Sequence, residues 1–516
     1  MKNIIRYKLL SLVILFTLAG SCNKDVVVNE NLKPLQPAKM DANAGTWTMI
    51  FMTSPTQVPL AAPLPVTDPS YITELTTIKD TQSKLNKTQR ASIDYWSGGG
   101  ILRWNEILRE LVARYNLPPA PSDDGSYVFP NAENPFADPQ FPFANPPYAA
   151  RAYSYVSAAQ YDAMKVVWYY KYQYNRPAPY TNDPGVQALV PKTDLPAYPS
   201  EDAVMSGVTA EILKALFPAA VEEITLKAAE QRNAAMWSGR ASSTDISAGL
   251  ALGKSIAALF TARAGGDGMK NAIGTKAQWQ QLSDNAISRG ETPWISLDAP
   301  ARPPMLPFFG QVKAWMMTPA QIVSERPLPP PSTSSAEMKD QVNEVKFYAD
   351  NLTRDRLAIV HKWADGAGTY APPGHWNDIA AEYIRDENFS EVRAARAFAL
   401  LNMTMHDAAV GCWESKYFYF NPRPTQMDVS IKTGTGIPNF PAYTSGHSTF
   451  SGSAATLLSY LFPSGASYFD AQAKEASISR LYGAIHYRAD IDAGLSHGQR
   501  IGSYTVNFAT GDGAGN

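Results

Sequence analysis

Seven residues in the C-terminal part of the chain carry groups that could act together on a tetrahedral anion. Lys416, Arg423 and Arg480 supply three cations, and Ser445 and Gly446 supply a hydroxyl and backbone N–H groups just before an apolar helix, Ser448–Leu461. A helix N-terminus, with N–H groups that lack intrahelical partners, is itself an anion site. His447 and His486 add imidazoles able to serve as acid, base, nucleophile or ligand. Three cations gathered without an anion would repel one another. At an effective dielectric near 20, each one about 4 Å from a unit negative charge contributes roughly 4 kcal/mol of attraction. Their convergence therefore implies a bound oxyanion. Asp490 follows His486 by four residues, a spacing that lets it orient the imidazole.

The elements that must hold these groups occur twice. At an offset of 245 residues, Ala150-Arg151-Ala152-Tyr153 matches Ala395-Arg396-Ala397-Phe398, Asp162-Ala163 matches Asp407-Ala408, and Trp168 matches Trp413. The same register pairs Lys171-Tyr172 with Lys416-Tyr417, Pro196-Ala197-Tyr198 with Pro441-Ala442-Tyr443, and Asp245-Ile246 with Asp490-Ile491. One register held over about a hundred residues is the mark of an internal duplication. Long segments of both copies, among them Ala203–Leu216, Glu391–Glu414, Phe450–Leu461 and Ala471–Tyr487, are Ala/Leu-rich with helical spacing. The expected fold class is all-α, with two packed helical bundles and the active centre in the C-terminal one. A role in packing would be kept in both copies, whereas chemistry can be lost from one. All six histidines lie in the second copy, and Pro199-Ser200-Glu201-Asp202 stands where that copy has Thr444-Ser445-Gly446-His447. Lys171 and Arg176 are accordingly read as structural, and His361, His375, His406 and His497 as satisfied or surface histidines.

Composition sets the outer limits. The chain has 516 residues, 45% of them apolar and 18% charged, with a formal net charge of −2. That is a globular composition without the basic excess that would hold nucleic acid. Lys2, Arg6 and Lys8, the apolar run Leu9–Leu18 and then Ala19-Gly20-Ser21-Cys22 describe an export signal of the bacterial lipoprotein type. The expected product is a body exported to the bacterial envelope, periplasmic or on the cell surface, meeting the membrane only through a lipid anchor at Cys22. Cys412 then has no disulfide partner. Residues 23–45 read as a tether, 46–310 as a degenerate N-terminal bundle, the Pro-rich stretch from Pro300 to Pro331 as a boundary, and 325–516 as the active bundle.

Lys416-x6-Arg423-Pro424, then Ser445-Gly446-His447, then Arg480-x5-His486-x3-Asp490 resembles the three-part signature shared by type 2 phosphatidic acid phosphatases, bacterial acid phosphatases and vanadium-dependent haloperoxidases. The double bundle is similar to the chloroperoxidase branch. Trp413 before Lys416, Phe440-Pro441-Ala442-Tyr443 before Ser445, and the upstream Trp363-Ala364-Asp365-Gly366 with Pro372-Pro373 also resemble that branch. Thr444 departs from it where a Pro is usual, and the loop Thr425–Asn439 is short.

The resemblance implies vanadate as cofactor, with phosphate able to occupy the same site. His486 would be its ligand, Lys416, Arg423 and Arg480 would neutralise its oxygens, and Ser445, Gly446 and His447 would bond to it. Hydrogen peroxide and halide would be the substrates. The alternative is a phosphatase in which His486 attacks a phosphomonoester and His447 protonates the leaving alcohol. A non-catalytic oxyanion binder is the third reading. Asp365 is expected either to cap a helix or to pair with Arg480, and Trp413 and Phe440 to form the apolar wall.

Overall fold

The computed structural model describes residues 31–117, 119–127 and 146–515; the export signal and Cys22 lie outside them. Among the described residues there is no β-strand. Ten helices carry the architecture. The first five are α1 (Gly100–Tyr115), α2 (Pro146–Tyr174), α3 (Glu201–Leu216), α4 (Val221–Trp237) and α5 (Ser243–Gly265). The second five are α6 (Ala371–Asp386), α7 (Glu391–Tyr419), α8 (Gly446–Leu461), α9 (Ala466–Tyr482) and α10 (Arg488–Thr510). Taken in order, the two sets have the same lengths: 16, 29, 16, 17 and 23 residues. The last four of each set stand 245 residues apart.

Buried polar contacts recur at the same offset. Asp162 accepts N–H bonds from Ile50, Phe51 and Met52 at 2.8–2.9 Å, and Asp407 accepts them from Trp315 and Met316 at 2.7 Å. Arg151 pairs with Asp267 at 2.7 Å, and Arg396 with Asp512 at 2.6 Å.

The two sets share one core. α2 packs along α7, and a single apolar cluster runs from Trp104, Tyr153 and Trp168 to Trp376, Phe398 and Trp413. A chain of amides crosses the junction. Asn105 donates to Asn377 (2.7 Å), Asn377 donates to Asn402 (2.6 Å), and Asn402 donates to Ser157 (2.8 Å). Satisfied in this way, the buried polar groups fix how the sets meet instead of penalising the fold.

Within each set a glycine stripe lets two helices touch. A Cβ on Gly494 would come within 2.8 Å of the Ser445 carbonyl oxygen, one on Gly502 within 2.9 Å of the Ser453 oxygen, and one on Gly498 would collide with the Thr449 oxygen. Gly249, opposite the Ser200 oxygen at 2.6 Å, does the same in the first set. This close crossing of α10 on α8 brings Asp490 to Ser445, whose N–H donates to the Asp490 carbonyl at 3.0 Å. Gly498→Ala should destabilise the protein by about 1–3 kcal/mol or more, since the obstacle is backbone and cannot rotate away. Chemical denaturation, with an unchanged m-value, would measure it.

Three expectations need correction. The stretch expected to be a tether is packed from residue 32 on. Leu35 N–H donates to the Ser97 carbonyl at 2.7 Å, and Asp41 pairs with Arg393 at 2.7 Å. The Pro-rich stretch after Pro300 is no mere boundary, because Trp413 (3.1 Å) and Tyr417 (2.6 Å) both donate to the Met305 carbonyl. The single helix expected over Ala471–Tyr487 ends at Tyr482; a turn through Gly483 and Ala484, the latter at φ 58°, precedes α10. Among the described residues, Ser243–Asn271 is long and apolar enough to cross a membrane by length and composition, but its glycine face is packed on α3.

Candidate active site

Ser445 caps α8, its hydroxyl oxygen accepting from the Ser448 N–H at 3.4 Å, so α8 presents its first N–H groups beside the end of α7. Lys416, in the last turn of α7, is fully buried and donates to the Pro441 and Ala442 carbonyls, both at 2.9 Å. Arg423 follows in extended backbone and is equally buried. It donates from Nε to the Phe440 carbonyl (2.9 Å) and from Nη1 to the Ile485 carbonyl (2.8 Å), while Nη2 is buried with no hydrogen-bond partner. Arg480, in the last turn of α9, donates to the Trp363 carbonyl at 2.6 Å and the Val360 carbonyl at 3.3 Å.

Burial sets the electrostatics. It pulls Lys416 down to about 7, with Arg423 adding to the effect, and pulls Arg423 and Arg480 down to about 10. Positive charge is thus costly here until an anion arrives.

His486 stands in the turn between α9 and α10. Its Nδ1 lies 2.8 Å from Asp490 Oδ2, and its Nε2 lies 3.0 Å from Arg423 Nη1. Arg423 can only donate, so Nε2 carries the lone pair and Nδ1–H donates to Asp490. Burial, then the charges of Arg423, Lys416 and Arg480, hold the imidazole well below its ordinary pKa and keep it neutral. The Tyr487 N–H also donates to Asp490 Oδ2 at 3.1 Å, fixing the carboxylate. Burial pushes the Asp490 carboxyl up to about 7. A neutral imidazole of fixed tautomer, with its lone pair beside Arg423, can act as a nucleophile on phosphorus or a ligand to a metal oxyanion.

His447, the second residue of α8, lines the same cavity as His486, a space of about 650 Å³ between the two sets. Its Nε2 lies 3.5 Å from Asp365 Oδ2. Burial and the charge of Arg480 bring His447 down to about 4, with Asp365 opposing them. Asp365, at φ 43°, also holds His375 Nδ1 at 3.1 Å. Burial works against its ionised form, but the hydrogen bond to His375 and the approach of His447 outweigh it and hold the carboxyl well below the usual range. The ion pairs of Asp365 among the described residues are therefore with these two histidines, while Arg480 donates to backbone. Trp413 and Phe440, ring centroids 5.0 Å apart, wall the cavity, and Phe440 lies 5.0 Å from Lys416 Nζ. A Cβ on Gly446 would meet nothing closer than 3.9 Å, so the approach to the helix end is open.

Of the eleven residues singled out in the sequence, Asp365, Trp413, Phe440, Gly446, His447, Arg480 and His486 line this cavity, whereas Lys416, Arg423, Ser445 and Asp490 do not, Arg423 and Asp490 instead contacting His486 from behind the lining. His375 was missed. It stacks on Trp363 (centroids 4.2 Å, 20°) and anchors Asp365. Its place two residues after Pro372-Pro373, within the upstream block, was the available signal. Asn116, Tyr127, Arg302 and Met305, which bring the first set and the Pro-rich stretch to the cavity, were also missed. Of the other histidines, His361 is exposed and His406 lies 3.3 Å from the Lys313 carbonyl. His497, expected to be satisfied or on the surface, is buried with neither ring nitrogen bonded.

His375→Ala should leave Asp365 to His447 alone and remove the influence of His375 that lowers the His447 pKa. The acidic limb of the pH–rate profile should then move to higher pH, read as kcat/KM against pH.

Residues 395–511, which hold all but the first turn of α7 and run through α10, match the family model described as the PAP2 superfamily. That segment is similar to the PAP2 superfamily. It contains every cation and both imidazoles of the cradle, while Asp365 and His375 come from upstream of it. No curated protein sequence matches the chain. Among solved structures, a bacterial vanadium-dependent iodoperoxidase is similar with a TM-score of 0.55 and 23% identity, over 70% of this chain and 91% of that one. A bacterial vanadium-dependent chloroperoxidase is similar in holo and apo forms, with TM-scores of 0.51 and 0.50 and identities of 14% and 15%. Those matches cover 71% of this chain and 92–93% of theirs. The likeness shows that helices before the PAP2 segment share the fold as well.

Proposed function

We propose that this protein is a vanadate-dependent haloperoxidase-like enzyme that oxidises halide with hydrogen peroxide. The observation that carries the reading is a buried cradle of three cations around a neutral imidazole, with one guanidinium nitrogen, Arg423 Nη2, unspent. A buried donor without a partner costs about 1–3 kcal/mol, and an oxyanion would satisfy it. Among the described residues no cluster of three or more metal-ligating side chains exists, and an oxyanion held by one imidazole and three cations requires none. The site thus fits vanadate, which when bound supplies a Lewis acid that activates peroxide toward halide.

The chain's own residues divide the remaining work. Lys416, Arg423 and Arg480 neutralise oxyanion charge, and His486 offers Nε2 as the ligand while Asp490 fixes its tautomer. Ser445 and the Gly446 N–H add donors. His447, neutral above about pH 4, can accept a proton, and the ionised Asp365 carboxylate 3.5 Å from its Nε2 stabilises the imidazolium that forms. Trp413 and Phe440 exclude water from the cations, which strengthens every one of these interactions. Two matched helix sets, a fold shared with haloperoxidases across most of their length, favour this reading. The equal helix lengths support an origin by internal duplication.

The phosphatase reading rests on His486, whose Nε2 lone pair and Asp490 contact equally suit a nucleophile. Vanadate and phosphate share shape and charge, so the experiment must separate them. Apo-protein assayed with and without orthovanadate should oxidise halide with peroxide only when vanadate is present, in competition with phosphate. Phosphomonoester hydrolysis inhibited by vanadate, with phosphate trapped on His486 and no halogenation, would establish the phosphatase instead. Phosphate binding without either activity would leave an oxyanion-binding scaffold.

A further inference from the structure

The N-terminal set repeats the cradle's framework with one substitution at its centre. Lys171 donates to the Pro196 carbonyl, as Lys416 does to Pro441. Ser200 caps α3 as Ser445 caps α8, and its N–H donates to the Asp245 carbonyl at 3.1 Å, as Ser445 does to Asp490. Where the second set has Gly446 and open space, the first has Glu201, whose carboxylate lies 2.8 Å from Lys171 Nζ. Asp202, opposite His447, pairs with Arg240 at 2.6 Å. Lys171, Arg176 and Arg240 are thereby matched by Glu201, Asp202 and Asp245, leaving no net charge. Burial works against an ionised Glu201, yet Lys171 and Arg240 outweigh it and hold its pKa below the ordinary value.

Arg176 keeps part of its capacity for an anion. It is 3% exposed, stacks on the Tyr71 ring at 3.9 Å, and its ion pair with Asp245 is 3.4 Å long, too long for a strong charged hydrogen bond. A cavity of about 60 Å³ remains beside Glu201, bordered by Trp168, Arg240 and Glu391.

We propose that the N-terminal set carries a second tetrahedral-oxyanion cradle, filled in this chain by the Glu201 carboxylate in place of a phosphate-like ligand. The carboxylate is a tethered anion that offsets Lys171 and Arg240 and closes the site to free oxyanions. The inference rests on reading the C-terminal cradle as an oxyanion site, but its test does not depend on that cradle being occupied.

Inorganic phosphate bound per chain is counted by equilibrium dialysis for the wild type and for Glu201→Gly. The wild type sets the baseline: one if the C-terminal cradle binds phosphate, zero if that reading fails. Glu201→Gly should bind one more than the baseline in either case. Glu201→Gln, which keeps the side-chain volume, and the double variant Glu201→Gly/Lys171→Ala should both return to it. If the unplugged protein is weakly folded, phosphate should raise its Tm more than it raises the wild type's, because the ligand replaces the missing charge. A folded Glu201→Gly at the wild-type count overturns the proposal. So does failure of both Glu201→Gly and Glu201→Ala to fold in excess phosphate.

Discussion

His486→Ala should abolish vanadate-dependent halide oxidation, lowering kcat by roughly 10³-fold or more, the scale seen when an enzyme loses the one atom that bonds to the reacting centre. The reason is local. Nε2 is the lone pair in the cradle whose tautomer is fixed, because Arg423 donates to it and Asp490 holds the opposite nitrogen at 2.8 Å. No other imidazole contacts Arg423: His447 faces Asp365 instead. Oxyanion binding should respond far less. Lys416, Arg423, Arg480 and the N-terminus of α8 all remain in His486→Ala, so phosphate affinity should stay within about tenfold of wild type. The split between lost turnover and kept binding is the diagnostic. Loss of both together would mean that the variant has collapsed the turn before α10, and circular dichroism and Tm would show it. Steady-state halide oxidation with saturating vanadate, alongside calorimetric phosphate titration, measures the two quantities separately.

How much of this was legible beforehand depended on what each residue type can reveal alone. The helices were readable because Ala/Leu-rich segments with helical spacing leave few alternatives. The cradle was readable because three cations, a Ser-Gly turn and two imidazoles make chemical sense only around an anion. His375 was not, since nothing in its neighbourhood says that Asp365 takes a left-handed φ of 43° and turns its carboxylate between two histidines. The broken helix at Gly483 was missed because the apolar spacing of Ala471–Tyr487 continues through the turn. Proline content said truly that the stretch after Pro300 is not a helix interior, but said nothing of its course. Only the structure shows the Met305 carbonyl accepting from Trp413 and Tyr417 against the cavity. Glu201 and Asp202 were read as the absence of a histidine motif. Their positive role, as counter-charges to Lys171 and Arg240, appears only when partners 30 to 40 residues apart are seen in contact.

Lys416 should impose a pH dependence on oxyanion affinity that its removal weakens. The ammonium is held down to about 7 by burial and by Arg423, far below an ordinary lysine. A dianion in the cradle favours the charged form, so the bound state keeps its proton to higher pH than the free state does. Below pH 7 the ammonium is already present and affinity should be flat. Above pH 7 the free protein has shed the proton and must recover it on binding, so affinity should fall by up to tenfold per pH unit until the bound state titrates in turn. Sulfate is the suitable probe, because it does not itself titrate between about pH 5 and pH 9, as phosphate does. Lys416→Met should weaken sulfate binding at pH 6 by about 2–5 kcal/mol, roughly 30- to 4,000-fold, the cost of truncating one member of a buried charge pair. The same variant should show a shallower fall of affinity between pH 7 and pH 9, what remains being due to ionisation of Asp490, whose carboxyl burial pushes up to about 7. Calorimetric titrations across that range decide the matter. An equally steep slope in Lys416→Met would assign the proton to another group and remove Lys416 from the anion's charge balance.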